Sequence, residues 1–167
     1  MTSVEDDFTE YVASRWPRLV RSAVLLGCSP AEAEDVAQSA LVRCLVHWKR
    51  VMGADDRDAY VHQVLINTFV SSRRRRWHGE RPVAAVPDAK APDAYGSVEV
   101  TDVVMHALDR LATDQRVAVV LRYYLHMTEA QMAEVLDVRP GTVKSRLARA
   151  LAALETDTEL ADLRGVL

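Results

Sequence analysis

The chain is poor in the residues that metal and redox sites are built from. It has two cysteines and five histidines in 167 residues. Cys28 and Cys44 form no C-x-x-C pair and read as reduced thiols in a helical core. The histidines, at 47, 62, 78, 106 and 126, are scattered, with no H-E-x-x-H, so no zinc ligand set is expected. No G-x-S-x-G elbow, Walker loop or G-x-G-x-x-G stretch occurs. Nothing in the sequence argues for an enzyme, and no catalytic residue, metal or cofactor is expected. Long apolar runs are also missing, since none approaches the roughly 20 residues that cross a bilayer. The opening Met1-Thr-Ser-Val-Glu-Asp-Asp7 is acidic and lacks the basic and apolar regions of a signal peptide. A cytoplasmic protein without membrane insertion is the expectation.

Aromatics make up only 6% of a chain that is 49% hydrophobic. Aliphatic helical packing is therefore expected, and the fold class is all-α. The formal net charge of −3 hides clusters. Arg73, Arg74, Arg75 and Arg76 are consecutive, and Arg139, Lys144, Arg146 and Arg149 crowd one segment. A nucleic-acid-binding protein need not be basic overall when its cations share a face.

One segment breaks the helical periodicity. From Gly79 to Ser97, prolines at 82, 87 and 92 sit among small residues, which reads as an extended or flexible linker. It separates two small helical domains, 5–78 and 98–158. The first reads as a three-helix-type bundle. Its opening helix runs from about Asp6 to Leu26, bent or split at Pro17, with Gly27 as C-cap. The second helix starts at the capping box Ser29-Pro30-Ala31-Glu32. The third follows Asp55-Asp56 and runs to about Trp77, burying Tyr60, Val61, Val64, Leu65 and Phe69. The second domain reads as four helices: Val98–Leu111, a helix capped by Thr113 and running to His126, a short one opened by the capping box at Thr128 and ending near Leu136, and a last one from Pro140 to about Leu154.

The last two helices follow the helix-turn-helix plan. Ala133 is the small residue of the first helix. Asp137 takes the turn position that needs a left-handed backbone, which Asp tolerates better than most residues. Val138, Val143 and Leu147 anchor the second helix. Its open face offers Thr142, Lys144, Ser145, Arg146 and Arg149, short donors and long cations suited to phosphates and major-groove edges. A plain solvated helix face is the competing reading of spacing alone.

Longer motifs sharpen the choice. Residues 140–151, PGTVKSRLARAL, resemble the recognition helix of region 4 in extracytoplasmic-function (ECF) sigma factors. Residues 108–117 and 121–125 resemble the earlier helices of that region. Ala33-Glu-Asp-Val-Ala-Gln38 resembles a segment of sigma region 2. Residues 58–68 with the arginine run resemble its promoter-facing helix, and residues 8–17 look like the actinobacterial SigE-like subfamily. The resemblance spans nearly the whole chain. It departs at Asp137, where the family usually has Gly; at Arg139, where Ser often caps the helix; at Ala112, in place of a common proline; and at Ala148, where some members carry a larger side chain. Regions 1.1 and 3 of primary sigma factors are not expected, nor is an extra domain after Glu155.

The resemblance implies an alternative sigma factor whose partners are RNA polymerase core enzyme, promoter DNA and an anti-sigma factor. It implies that 5–78 is region 2, which binds core polymerase through Asp35 and Gln38. Region 2 would also recognise and melt the minus-10 element through Asp55, Asp56, Arg57, Tyr60, Asn67 and Arg73 to Arg76. It implies that 98–158 is region 4, which reads minus-35 through Thr142, Lys144, Ser145, Arg146 and Arg149. The linker 79–97 would pass through the polymerase. Solvated-face readings of Asp35 and Gln38, and core readings of Trp48 and Tyr60, stand beside these. The rival function is an autonomous helix-turn-helix regulator, which leaves the first domain without a task.

Overall fold

The computed structural model describes residues 3–79 and 98–166. The expected linker, from residue 80 on, lies outside them. Among the described residues every regular element is helical. The helices group into two compact units, the first built on α1 to α4 and the second on α5 to α9.

In the first unit, α1 spans Val4–Leu25, α2 Pro30–Val46, α3 Trp48–Met52 and α4 Arg57–Gly79. At the start of α1, Ser3 and Asp6 satisfy each other's backbone N–H groups at 3.1 Å, and Glu5, Asp6 and Asp7 place negative charge on the positive end of the helix dipole. Pro17 does not split this helix. It lies exposed, as does Ala13 one turn earlier, so the carbonyl deprived of its partner faces water. Gly27 takes φ 111°, and the Cys28 N–H donates to Ala23 O, closing the helix as the glycine suggested. The Ser29–Glu32 capping box opens α2 as expected. Ala33, Val36, Ala37, Ala40, Leu41 and Cys44 form its buried face. The alanines let α4 approach closely with Val61, Leu65, Ile66 and Phe69. Both thiols are buried, and desolvation pushes Cys28 and Cys44 up to about 11, so neither is a reactive thiolate at neutral pH.

Polar bonds tie α1 to α4. Asp58 accepts from Tyr11 Oη at 2.9 Å and from Arg15 Nε at 3.0 Å. Burial pushes the Asp58 carboxyl up, but those two donors outweigh it and hold the group below the ordinary carboxylate value. His62, buried in the same region, donates from Nδ1 to the Asp58 carbonyl at 2.8 Å, and its Nε2 lies 3.4 Å from Ser22 Oγ. Desolvation lowers its pKa below 6.5, outweighing the Asp58 contact. A proton therefore binds the unfolded chain more readily than the folded one, so the contribution of His62 is fully present above pH 6.5 and declines as the pH falls below it. The thermal midpoint should drop between pH 7 and 5, and His62→Gln should flatten that drop. An equal slope in the variant, followed by circular dichroism, would remove His62 as its source. Asp58 adds its own loss only below its ordinary value of 3.8.

In the second unit, α5 spans Val98–Asp109, α6 Thr113–Val119, α7 Glu129–Leu136, α8 Pro140–Glu155 and α9 Thr158–Val166. Three expectations are corrected here. Thr113 does not cap α6: Ala112 holds the N-cap position without a side-chain bond. The helix expected to reach His126 is α-helical only to Val119 and continues as a π-helical turn, Val120–Tyr124. It closes with Leu125 N–H on Val120 O, and His126 turns the chain at φ 55°. Finally, α9 was not foreseen. Asp157 caps it by accepting from Leu160 N–H at 3.2 Å, and also accepts Arg110, the residue just past α5, in two bonds of 2.8 and 2.9 Å. That doubly used carboxylate starts a helix on α5 where the sequence offered only a tail.

Candidate functional site

The helix-turn-helix is built as the residues suggest. The Thr128 side chain and the Gln131 backbone, and Gln131 side chain and Thr128 backbone, bond reciprocally at the start of α7. Asp137 ends it at φ 53°, ψ 50°, the left-handed region. Arg139 then stands at the N-cap of α8 without a side-chain cap bond, with Pro140 as the first helical residue. Met132, Ala133 and Val135 of α7 and Val143, Leu147 and Ala150 of α8 are buried.

This burial fixes which way α8 faces. With Val143, Leu147 and Ala150 inward, the helical repeat puts Gly141, Ser145, Ala148 and Ala152 along the outer ridge. Lys144 flanks that ridge on one side, Thr142 and Arg149 on the other. Lys144 and Arg149 are exposed, while Thr142, Ser145 and Arg146 are half-buried. Ser145 Oγ donates to Thr142 O at 3.0 Å. Lys144 Nζ lies 4.0 Å from Glu129, and Arg146 Nε lies 3.3 Å from Asp114 on α6. The five expected minus-35 residues therefore share one helix but not one environment.

In the first unit, Asp35 and Gln38 are both exposed on α2 and line a cleft of about 510 Å³ against α4. Arg73, Arg75 and Arg76 line the same cleft, and Arg74 does not. Arg76 pairs with Glu32, and Arg73 sits 5.2 Å from the Phe69 ring centroid. Glu32 thus works twice, in the capping box and against Arg76. Burial pushes its carboxyl up, but the Ser29 N–H and Arg76 more than reverse this and lower it. Arg74 stands two turns beyond Asn67 on α4, and Tyr60 two turns before it, so those three share one face. The arginine run, expected as one patch, is divided between two surfaces.

The loop before α4 carries the remaining candidates. Asp56 Oδ1 accepts from Ala59 N–H at 2.9 Å, which makes it the cap of α4. Asp55 is exposed, and Arg57 reaches Asp7 at 3.5 Å. Trp48 is a core residue at 1% exposure, whereas Tyr60 is half-buried. The residues missed from the sequence are the partners: Asp7, Glu32 and Asp114. Only Glu32 carried a local signal, its place in the capping box.

These two units match two descriptions of known families. Residues 12–79 match "Sigma-70 region 2" and residues 101–154 match "Sigma-70, region 4". The chain belongs to the sigma-70 family. Within it, the relatives are ECF sigma factors. The RNA polymerase sigma-E factor of Streptomyces avermitilis is 39% identical over 157 residues, covering 94% of this chain and 88% of that protein. The sigma-E factor of Streptomyces coelicolor is 37% identical over the same length, covering 94% and 89%. The ECF RNA polymerase sigma factor SigL of Mycobacterium tuberculosis is 31% identical over 153 residues, covering 88% and 84%. Among solved structures, the sigma factor RpoE of Bartonella quintana, crystallised with the anti-sigma factor NepR, is similar with TM-score 0.66 and 28% identity over 89% of this chain and 94% of that one. The relatives are initiation factors rather than enzymes, and no described helix is long and apolar enough to cross a membrane.

Proposed function

We propose that this protein is a promoter-directing ECF sigma factor that works in the cytoplasm, without catalysis of its own, by lending sequence recognition to RNA polymerase core enzyme. The observation that carries the reading is the order of parts. A region 2 unit with an exposed α2 face and a cleft against α4 precedes a region 4 unit whose helix-turn-helix ends in α8 with an exposed outer ridge. An autonomous regulator explains only the second. In this reading 5–78 binds core polymerase and opens minus-10, 98–158 reads minus-35, and the α4 stripe Tyr60–Asn67–Arg74 with the loop at Asp55 receives minus-10 DNA. Taking a base out of the stack costs a few kcal/mol, which such a surface must offset. The Bartonella relative was crystallised with an anti-sigma factor, and a partner of that kind is expected here too. Reconstitution with core polymerase and mapping of transcript starts tests the whole reading: promoter-specific starts that require the factor support it, and specific promoter binding without polymerase opposes it.

Asp35 and Gln38 lie three residues apart on one exposed face and are not needed for packing. Asp35→Ala with Gln38→Ala should leave helicity unchanged and weaken core association roughly tenfold, the loss of one or two polar interface contacts. Co-purification with core enzyme at the wild-type level would remove the pair from the interface.

A further inference from the structure

Five α8 residues offer themselves as minus-35 contacts, and Arg146 is the least exposed of the three cations among them. Arg146 lies beside the buried Val143 and Leu147, at the inner edge of the helix, and its side chain is 25% exposed. Its Nε lies 3.3 Å from Asp114 Oδ2. Asp114 is itself held, because its Oδ1 accepts from Gln115 N–H at 2.9 Å. It stands in the first turn of α6, where the helix dipole favours a carboxylate. The pair therefore bridges α6 and α8, two helices that also pack directly on each other. A DNA phosphate would have to displace Asp114 from Arg146 against the repulsion of the same carboxylate. Lys144 differs: its side chain is 70% exposed and 4.0 Å from Glu129, a pair that is easily exchanged.

We propose that Asp114 and Arg146 are a positioning pair that holds the recognition helix on α6, and that Arg146 makes no contact with DNA. Its consequence is selectivity. Base readout needs α8 held at one depth and rotation in the groove, whereas phosphate attraction tolerates looseness. Loss of the strut should therefore blunt discrimination between promoters more than it weakens binding to DNA in general. The proposal rests on the assignment of α8 to minus-35.

The test uses the factor assembled with core polymerase on duplexes carrying either a matched or a scrambled minus-35 element. Asp114→Asn and Arg146→Ala should each lower the matched-to-scrambled ratio by roughly tenfold, about the worth of one base contact. The double variant should be no worse than either single one, and Arg146→Lys should keep most of the ratio. The slope of log affinity against log salt should stay at its wild-type value in all four. Three results overturn the pair. One is a uniform loss with Arg146→Ala accompanied by a slope shallower by about 0.9, the mark of a lost phosphate contact. Another is stronger binding with Asp114→Asn, the mark of a freed cation. The third is a wild-type ratio in every variant. Should Arg146→Ala unfold the second unit, Asp114→Asn and Arg146→Lys give the same decision. A wild-type factor that does not distinguish the two duplexes rejects the minus-35 assignment, and the pair falls with it. A wild-type factor that does distinguish them isolates any failure to the pair alone.

Discussion

Truncation of Trp48 to alanine is expected to cost the first unit about 3–5 kcal/mol, the usual range for a buried large aromatic. Trp48 is 1% exposed and is met edge-on by Phe8 at 5.0 Å and by Tyr11 at 5.3 Å. Its Nε1–H donates to Asp7 Oδ2 at 2.9 Å. Small domains hold only about 5–15 kcal/mol in total, so this one change approaches the whole margin. Trp48→Phe keeps a ring but leaves Asp7 with one donor fewer, and about 1 kcal/mol is expected from the hydrogen bond. The functional consequence is local as well. Asp7 also holds Arg57, so Trp48 and Val51 anchor the short helix from which the candidate minus-10 loop springs. Urea unfolding of both variants checks the ranking. A loss below about 1 kcal/mol for Trp48→Ala would mean that the aromatic cluster relaxes around the gap, and the anchoring argument would fail with it.

What was legible in the sequence was written within a few consecutive residues. The capping boxes at Ser29–Glu32 and Thr128–Gln131 each complete themselves in four positions, and both are present. Asp137 announced a left-handed turn because few other side chains tolerate one, and Gly27 did the same. The misses needed information from elsewhere in the chain. At five residues, α3 is too short for a 3.6-residue period to show. The run Val117 to Leu125 is apolar on too many sides to reveal where α geometry gives way to the π turn. The helix α9 depends on Arg110, 47 residues before the Asp157 it binds. The same distance rule governs the candidate site. The candidate DNA-facing residue types could be named from the pattern, but Arg57–Asp7, Arg76–Glu32 and Arg146–Asp114 join residues 50, 44 and 32 apart. Those pairings show which arginines are already engaged by a carboxylate within the protein.

Lys144→Ala and Arg149→Ala are expected to be the most damaging single changes on the recognition helix. At least one of them should relax preference at one minus-35 position at a cost of roughly 1–3 kcal/mol. Arg149 is exposed, and no ion pair engages it among the described residues. Lys144 has only the long contact with Glu129 to give up. Between these two cations the outer ridge is low, made of Gly141, Ser145 and Ala148. A Cβ at Gly141 would meet no atom within 4 Å, so nothing inside the protein requires glycine there. That low ridge suits a helix backbone lying close to base edges in the major groove, with a long side chain reaching down on either flank. A lysine or arginine that reads a base and one that holds a phosphate differ in their signatures. The first, when removed, penalises the matched base and spares other sequences. The second weakens every promoter alike and makes the salt dependence shallower by about 0.9 in log–log slope. Transcription from a promoter library randomised at minus-35, with reconstituted holoenzyme at two salt concentrations, separates the two. Uniform losses for both variants, each with a shallower salt slope, would make Lys144 and Arg149 phosphate anchors and leave Ser145 as the polar side chain on the ridge for direct readout.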